Sequence, residues 1–174
     1  SLRSGIQAYQ SKDVTLEQVK LLNNAGAGLV VNGSIVTANG LETEGNLWYG
    51  VNVDQGTGVA TPAKFILNRG TLLESIAIYA DKGLIQDKIE IDLGENGNDY
   101  YRVQGEKGIA YWNELPKGVY VQSIAGSERQ LVSHQTLNEA VLKAGAGDTV
   151  WLNGDAKVMA QVLINKALKI RSFD

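Results

Sequence analysis

TLNEAVLKAGAGDTVWLNGDAKVMAQVLINKALKIRSFD, residues 136–174, is the stretch on which the reading of this chain turns. Thr136 and Glu139 have capping-box spacing, in which a Thr hydroxyl accepts an amide of the first helical turn and the Glu carboxylate reaches back to the cap amide. A short amphipathic helix is therefore expected, closed by a Gly-rich turn that ends at Gly147 and Asp148. Two strand-like runs follow, 149–152 and 162–164, and a third, 168–171, reaches the end of the chain. Side chains alternate across a strand, so Val162, Ile164, Leu168 and Ile170 are expected to face inward.

Upstream, TLEQ (15–18) repeats the capping-box spacing, and a second short helix is expected from Thr15 to a Gly26 cap, with Leu16, Val19 and Leu22 as its stripe. TLEQVKLLNNAGAGLVVNG (15–33) echoes TLNEAVLKAGAGDTVWLNG (136–154). Two distant copies of a helix–turn–strand unit do not make a solenoid, which needs several adjacent repeats.

Between Gly28 and Ile124 the pattern is β throughout. Asn32-Gly33, between 29–31 and 34–37, is a strong hairpin signal. Residues 47–53 alternate in period two, and further strands are expected at 64–67, 72–80, 88–93, 99–104, 109–112 and 119–124. ENGN (95–98) and LPKG (115–118) read as reversals. Short strands at this spacing predict a mainly β protein with an antiparallel, jelly-roll-like sandwich. The expected organisation is a lead-in and short helix over 1–27, the sandwich over 28–126, and a connector, capping helix and closing strands over 127–174.

Composition narrows the chemistry. At 174 residues and 44% hydrophobic the chain can bury a core, and 20 glycines against 2 prolines suit a β fold with tight turns. A net charge of −3 without a basic run argues against a nucleic-acid partner. No apolar run approaches the roughly 18 residues of a membrane span, so membrane insertion is not expected. Without cysteine there is no disulfide, thiolate metal site or Cys nucleophile, and the single histidine, His134, disfavours zinc sites and a Ser-His-Asp triad. No cofactor or metal is expected. The chain opens at Ser1 rather than Met, which suggests processing or excision from something longer.

Three adjacent aromatic pairs offer the sharpest site signal: Trp48-Tyr49, Tyr100-Tyr101 and Tyr111-Trp112. Strand neighbours point to opposite faces, so each pair is expected to send one ring outward. Trp48, Tyr101 and Trp112 are the candidates for stacking on a sugar ring or contacting another subunit, with packing under a loop as the bland alternative. The acidic loop DLGENGND (92–99) has oxygen ligands for calcium but lacks the spacing of a twelve-residue EF-hand loop, and a solvated reversal already explains it. Glu42 and Glu44 could share a strand face as a carboxylate pair, and with Asp92 they are the candidates for a hydrolase or lyase. Asp148 is expected to bond the turn backbone, and His134 to be an ordinary surface residue. No catalytic residue is assigned.

Helix, Gly-Asp-Thr, short strand, V-x-I and K-x-L-x-I in 136–174 resemble the beginning of a right-handed parallel β-helix of the pectate-lyase or phage-tailspike type, in which a small helix caps the first rung. GTLLESIAIYADKG (70–83) and LPKGVYVQSI (115–124) look like strands of jelly-roll carbohydrate-binding modules and virion accessory domains. The resemblance to the N-terminal part of a tailspike implies a non-catalytic adaptor that attaches and trimerises a β-helix. It also implies a phage particle or baseplate partner, and bacterial surface polysaccharide met by a downstream domain that could be a hydrolase or lyase. Such a protein would assemble in bacterial cytoplasm, which the absence of cysteine suits, and act in the virion tail. The alternative is a carbohydrate-binding module of a secreted β-helix enzyme.

Overall fold

The computed structural model describes residues 3–156, 158 and 160–173; Ser1 and Leu2 of the expected lead-in, and Asp174, lie outside them. The chain divides into two compact units, Ser1–Tyr100 with Glu106–Asn113, and Tyr101–Gly105 with Glu114–Asp174.

The first unit is a parallel β-solenoid, consistent with a right-handed β-helix. One coil holds β1 (Ile6–Tyr9), β2 (Val14–Glu17) and β3 (Lys20–Leu22), and the next holds β4 (Leu29–Asn32) and β5 (Ile35–Glu44). β6 (Val51–Asp54) and β7 (Ala63–Leu72) form the third. β8 (Ile76–Asp81) and β9 (Ile89–Asp92) form the fourth, followed by a 3-10 turn over Gly94–Asp99. Each strand pairs in parallel with its counterpart one coil on. Ile6 lies opposite Leu29, Leu29 opposite Val51, and Val51 opposite Ile78, so by subtraction the coils are 23, 22 and 27 residues long.

This register stacks like on like. Ala8, Val31, Val53 and Ala80 form one inward column, and Val14, Val36, Phe65 and Ile91 another. Most of these side chains are fully buried, because strand alternation sends every second residue into the coil while the next coil covers it. β5 and β7 are long because each turns a corner without leaving its ladder. Gly40 takes the left-handed conformation (φ +80°) at the β5 corner, where the register with β7 shifts.

Polar ladders mark the corners. Asn24 Nδ2 donates to Asn46 Oδ1 at 2.7 Å, and Asn46 Nδ2 donates to Glu74 Oε1 at 2.6 Å and to Leu21 O at 2.8 Å. Thr43 Oγ1 donates to the other Glu74 oxygen, so a buried carboxylate ends the column. A second, more exposed ladder runs from Glu17 through Asn39 to Asn68.

Several local expectations give way to this stacking. The segment expected as a helix from Thr15 forms β2 and β3. A capping box contributes only about 1 kcal/mol, whereas strand pairing with β5 packs Val14, Leu16 and Val19 against the core and buries Leu21. The strands expected to build an antiparallel sandwich pair in parallel from β4 to β9. Asn32-Gly33 turns a coil corner between two different sheets, using the φ +50° at Gly33 that a hairpin would also need. Residues 95–98 lie in the 3-10 turn, and 47–49 lie outside any strand.

Past the 3-10 turn, β10 (Tyr101–Gln104) belongs to the second unit. β11 (Gly108–Trp112) runs antiparallel to β8 in the first, with Ile109 and Tyr111 opposite Ala80 and Ile78. The second unit continues with β12 (Gly118–Gln122), β13 (Gln130–His134), α1 (Leu137–Lys143), β14 (Thr149–Asn153) and β15 (Lys169–Phe173). Its strands lie in the order β10-β13-β12-β14-β15. The pairs β10/β13 and β14/β15 are parallel, and β12 is antiparallel to both its neighbours.

The closing stretch keeps the capped helix and the first and last strands of its sequence pattern. Thr136 Oγ1 accepts the Glu139 amide at 3.2 Å, and Glu139 Oε2 accepts from Gln135 N at 3.0 Å, one residue before the cap amide. That backbone bond, followed by the neighbouring His134, holds the Glu139 carboxyl below its ordinary value. Ala140, Val141 and Ala144 pack against Val119, Val121 and Val150. β15 lies parallel to β14, Lys169 opposite Thr149. The expected strand at 162–164 is absent, and of the four residues expected to face inward Val162 and Leu168 join the core while Ile164 and Ile170 remain exposed.

The buried ladder should outweigh the exposed one. Asn46→Ala is expected to cost about 3 kcal/mol, because it removes the side-chain partner of both Asn24 and Glu74 Oε1 inside the column. Asn68→Ala is expected to cost less than about 1 kcal/mol. Urea unfolding of the two variants measures both.

Candidate functional site

On the outer face of the first unit the corner after β5 meets β6 and β8 around a cleft of about 540 Å³. The corner brings Leu47, Trp48 and Tyr49, held from the previous coil: Leu47 N donates to Asn24 O at 3.0 Å, and Gly28 N donates to Tyr49 O at 3.0 Å. Trp48 is 49% exposed. β6 supplies Asn52 and Asp54, and β8 supplies Tyr79 and Asp81. All four point outward because Val51, Val53, Ile78 and Ala80 point in.

The coil register makes neighbours of these residues. Asn52 lies opposite Tyr79, and Val53 opposite Ala80 brings Asp54 beside Asp81. The Tyr49 and Tyr79 rings stack with centroids 5.0 Å apart and planes at 18°. Tyr79 Oη donates to Lys107 O at 3.3 Å, fixing the ring's far end. Each aspartate also closes its own turn: Asp54 Oδ1 accepts from Gly56 N and Asp81 Oδ1 from Gly83 N, both at 2.7 Å.

Burial first, then a hydrogen bond with Asp54, raises the Asp81 carboxyl above its ordinary value, while the Gly83 amide and Lys82 oppose the rise. Burial, then the charges of Tyr49 and Asp81, raises Tyr79. Around these groups the cleft sets a flat aromatic platform beside a carboxamide and two carboxyl groups.

The three aromatic candidates lie apart. Trp48 lines the cleft. Tyr101 belongs to the second unit, where the Arg129 guanidinium sits 4.5 Å above its ring and Phe173 meets it edge-on at 6.3 Å. Phe173 also packs on Trp151 at 4.3 Å, and Trp151 Nε1 donates to Gln122 Oε1 at 2.7 Å. Opposite Trp151 on β12 lies Tyr120, whose hydroxyl donates to Pro116 O and is pushed up to about 12 by burial. Trp112 is half-buried on β11, beside the buried Tyr111.

Other singled-out residues have structural partners. Glu42 pairs with Lys20 at 2.5 Å across β5 and β3, with both side chains exposed. Glu44 is exposed on the same strand, and Asp92 Oδ1 accepts from Gly94 N at 3.1 Å. Asp148 bonds the Gly145 and Ile124 amides, holding its turn as expected. His134 departs from expectation: its side chain is only 9% exposed, with Nδ1 at 3.5 Å from Glu139 Oε1. Among the described residues no group of three or more carboxylate or histidine side chains is placed to hold a metal.

No family model, curated protein or solved structure matches this chain. The fold and the cleft geometry therefore carry the functional reading.

Sequence reasoning singled out Trp48, with Tyr49 only as its inward-facing neighbour, and missed Asn52, Asp54, Tyr79 and Asp81. The missed signal is a repeated phrase, apolar-x-apolar-Asx before a glycine: LVVNG (29–33), VNVDQG (51–56) and IYADKG (78–83). Its spacing is the coil length, so the outward residues of successive phrases line up.

The raised Asp81 carboxyl predicts a pH dependence. A carboxyl held above its ordinary value binds its proton more tightly folded than unfolded. Its contribution is therefore most favourable below the unfolded value of about 3.9 and is lost as pH rises through the folded value. Asp81→Asn is expected to raise Tm at about pH 7 and to lose that advantage near pH 3, as measured by thermal melts across this range.

Proposed function

We propose that this chain is a non-catalytic, glycan-recognising β-helical segment of a receptor-binding protein of the phage-tailspike type. The observation that carries the proposal is the cleft, in which Trp48 and the stacked Tyr49–Tyr79 pair offer ring faces beside Asn52, Asp54 and Asp81. Aromatic faces stack on the apolar face of a sugar ring, while carboxyl and amide groups bond its hydroxyls. The solenoid supports the reading because stacked coils repeat such groups along one face. In this proposal the segment serves attachment to bacterial surface polysaccharide in a homotrimeric tail protein. Exposed Ile124, Leu142 and Leu163 on the second unit are apolar surface that subunit contact would cover.

In this reading a polysaccharide hydrolase or lyase activity belongs to other parts of such a protein. A carbohydrate-binding module of a secreted β-helix enzyme would use the same cleft and differ by acting as a monomer. Titration with bacterial surface polysaccharides, followed by Trp fluorescence, is expected to show saturable quenching. Trp48→Ala should weaken binding at least about tenfold. Light scattering should report a trimer. A monomer that binds sugar would favour the enzyme-attached module, and absence of any quench would sink both readings.

A further inference from the structure

We infer that the cleft selects sugars bearing a free ammonium group, with Asp54 and Asp81 as the residues that set this specificity. The inference rests on the cleft being the glycan site and names the class of ligand it takes.

The lining carries two carboxyl groups, one carboxamide and aromatic rings, and among the described residues no lysine or arginine lines it. The carboxyl groups come from adjacent coils in register, each anchored through one oxygen by its own turn amide. Asp54 and Asp81 thus present a fixed pair rather than two swinging side chains. Lys82 follows Asp81 in the chain and offsets part of its charge, and Tyr49 and Tyr79 are the other titratable groups in the cleft.

Three ligand classes meet this surface differently. An acidic sugar brings its carboxylate toward two carboxyl groups with no cation in the lining to receive it. A neutral or N-acetylated sugar can stack on the rings and bond hydroxyls, but leaves the excess negative charge uncompensated. An amino sugar stacks in the same way and places its ammonium against the aspartates, forming charge-assisted hydrogen bonds. The ring faces favour the same cation through their quadrupoles.

The test compares three probes of equal length on the unmodified protein by isothermal calorimetry: β-1,4-linked glucosamine hexamer, its fully N-acetylated form, and hexagalacturonate. The glucosamine hexamer is expected to bind at least about tenfold tighter than the acetylated one, and hexagalacturonate weakest. Asp54→Asn and Asp81→Asn should each abolish the preference, read as the ratio of the two affinities in each variant whatever the change in either affinity alone. Circular dichroism checks that the variants fold, and the comparison on the unmodified protein stands without them.

Equal affinity for the two glucosamine forms, abolished in both by Trp48→Ala, would overturn the inference and leave the glycan site standing. So would tighter binding of hexagalacturonate. A preference that survives both Asn variants would assign it to the chain's general negative charge of −3 and also overturn the inference. No binding of any probe, together with no response to bacterial polysaccharides, would remove the glycan site itself.

Discussion

The coils of the first unit approach as closely as they do because glycine stands where one coil's backbone lies against the next. A Cβ on Gly28 would sit 2.8 Å from the Gly50 carbonyl oxygen, and one on Gly50 would sit 2.7 Å from that of Ala77. Gly5 stands in the same way against Gly28. Any side chain there would push successive coils apart. The parallel ladder depends on that spacing, and so does the buried Asn24–Asn46–Glu74 column just before it, whose 2.6–2.7 Å hydrogen bonds leave no slack. Unsatisfied, those groups would each cost about 1–3 kcal/mol.

The same spacing creates the cleft. Asp54 meets Asp81 because they occupy one position of successive coils, and Asn52 lies beside Tyr79 for the same reason. Tyr49 reaches Tyr79 from the corner next to Gly50, where the backbone is pinned on both sides by Asn24 and Gly28. The cleft is therefore a by-product of coil stacking, laid on a rigid ladder rather than on free loops. Each of its carboxyl groups is held by its own turn amide.

The second unit uses aromatic surface for another purpose. β10 and β15 stand at opposite ends of its strand order, yet Tyr101 touches Phe173. The sheet must curl for those rings to meet, and its inner face fills with Tyr120, Trp151 and Leu131. Arg129 over Tyr101 and Arg171 near Trp151 add cation–π contacts to this packing. The opposite face receives α1 and its alanines. One outward-looking aromatic of the sequence thus lines a cleft, while another closes a small core.

Much of this was written in local sequence. Strand alternation, the Thr136–Glu139 cap and the adjacent aromatic pairs could all be read residue by residue, because each rests on contacts within a few positions of the chain. The solenoid in 6–92 could not be read that way. Its repeat is only an apolar-x-apolar-Asx phrase spaced 22 to 27 residues apart, and Asn32-Gly33 serves a hairpin or a coil corner with the same backbone. The capping box at Thr15 was a true local preference that lost to burial of Leu21 and pairing with β5. By itself the sequence determined a β-rich chain with one capped helix and exposed aromatic rings. Tertiary structure alone decided that the strands run parallel and that Asp54, Asp81, Tyr49 and Tyr79 share a cleft. The physical reason is that register between coils is fixed by side chains stacked some two dozen residues apart, a distance over which no local preference acts.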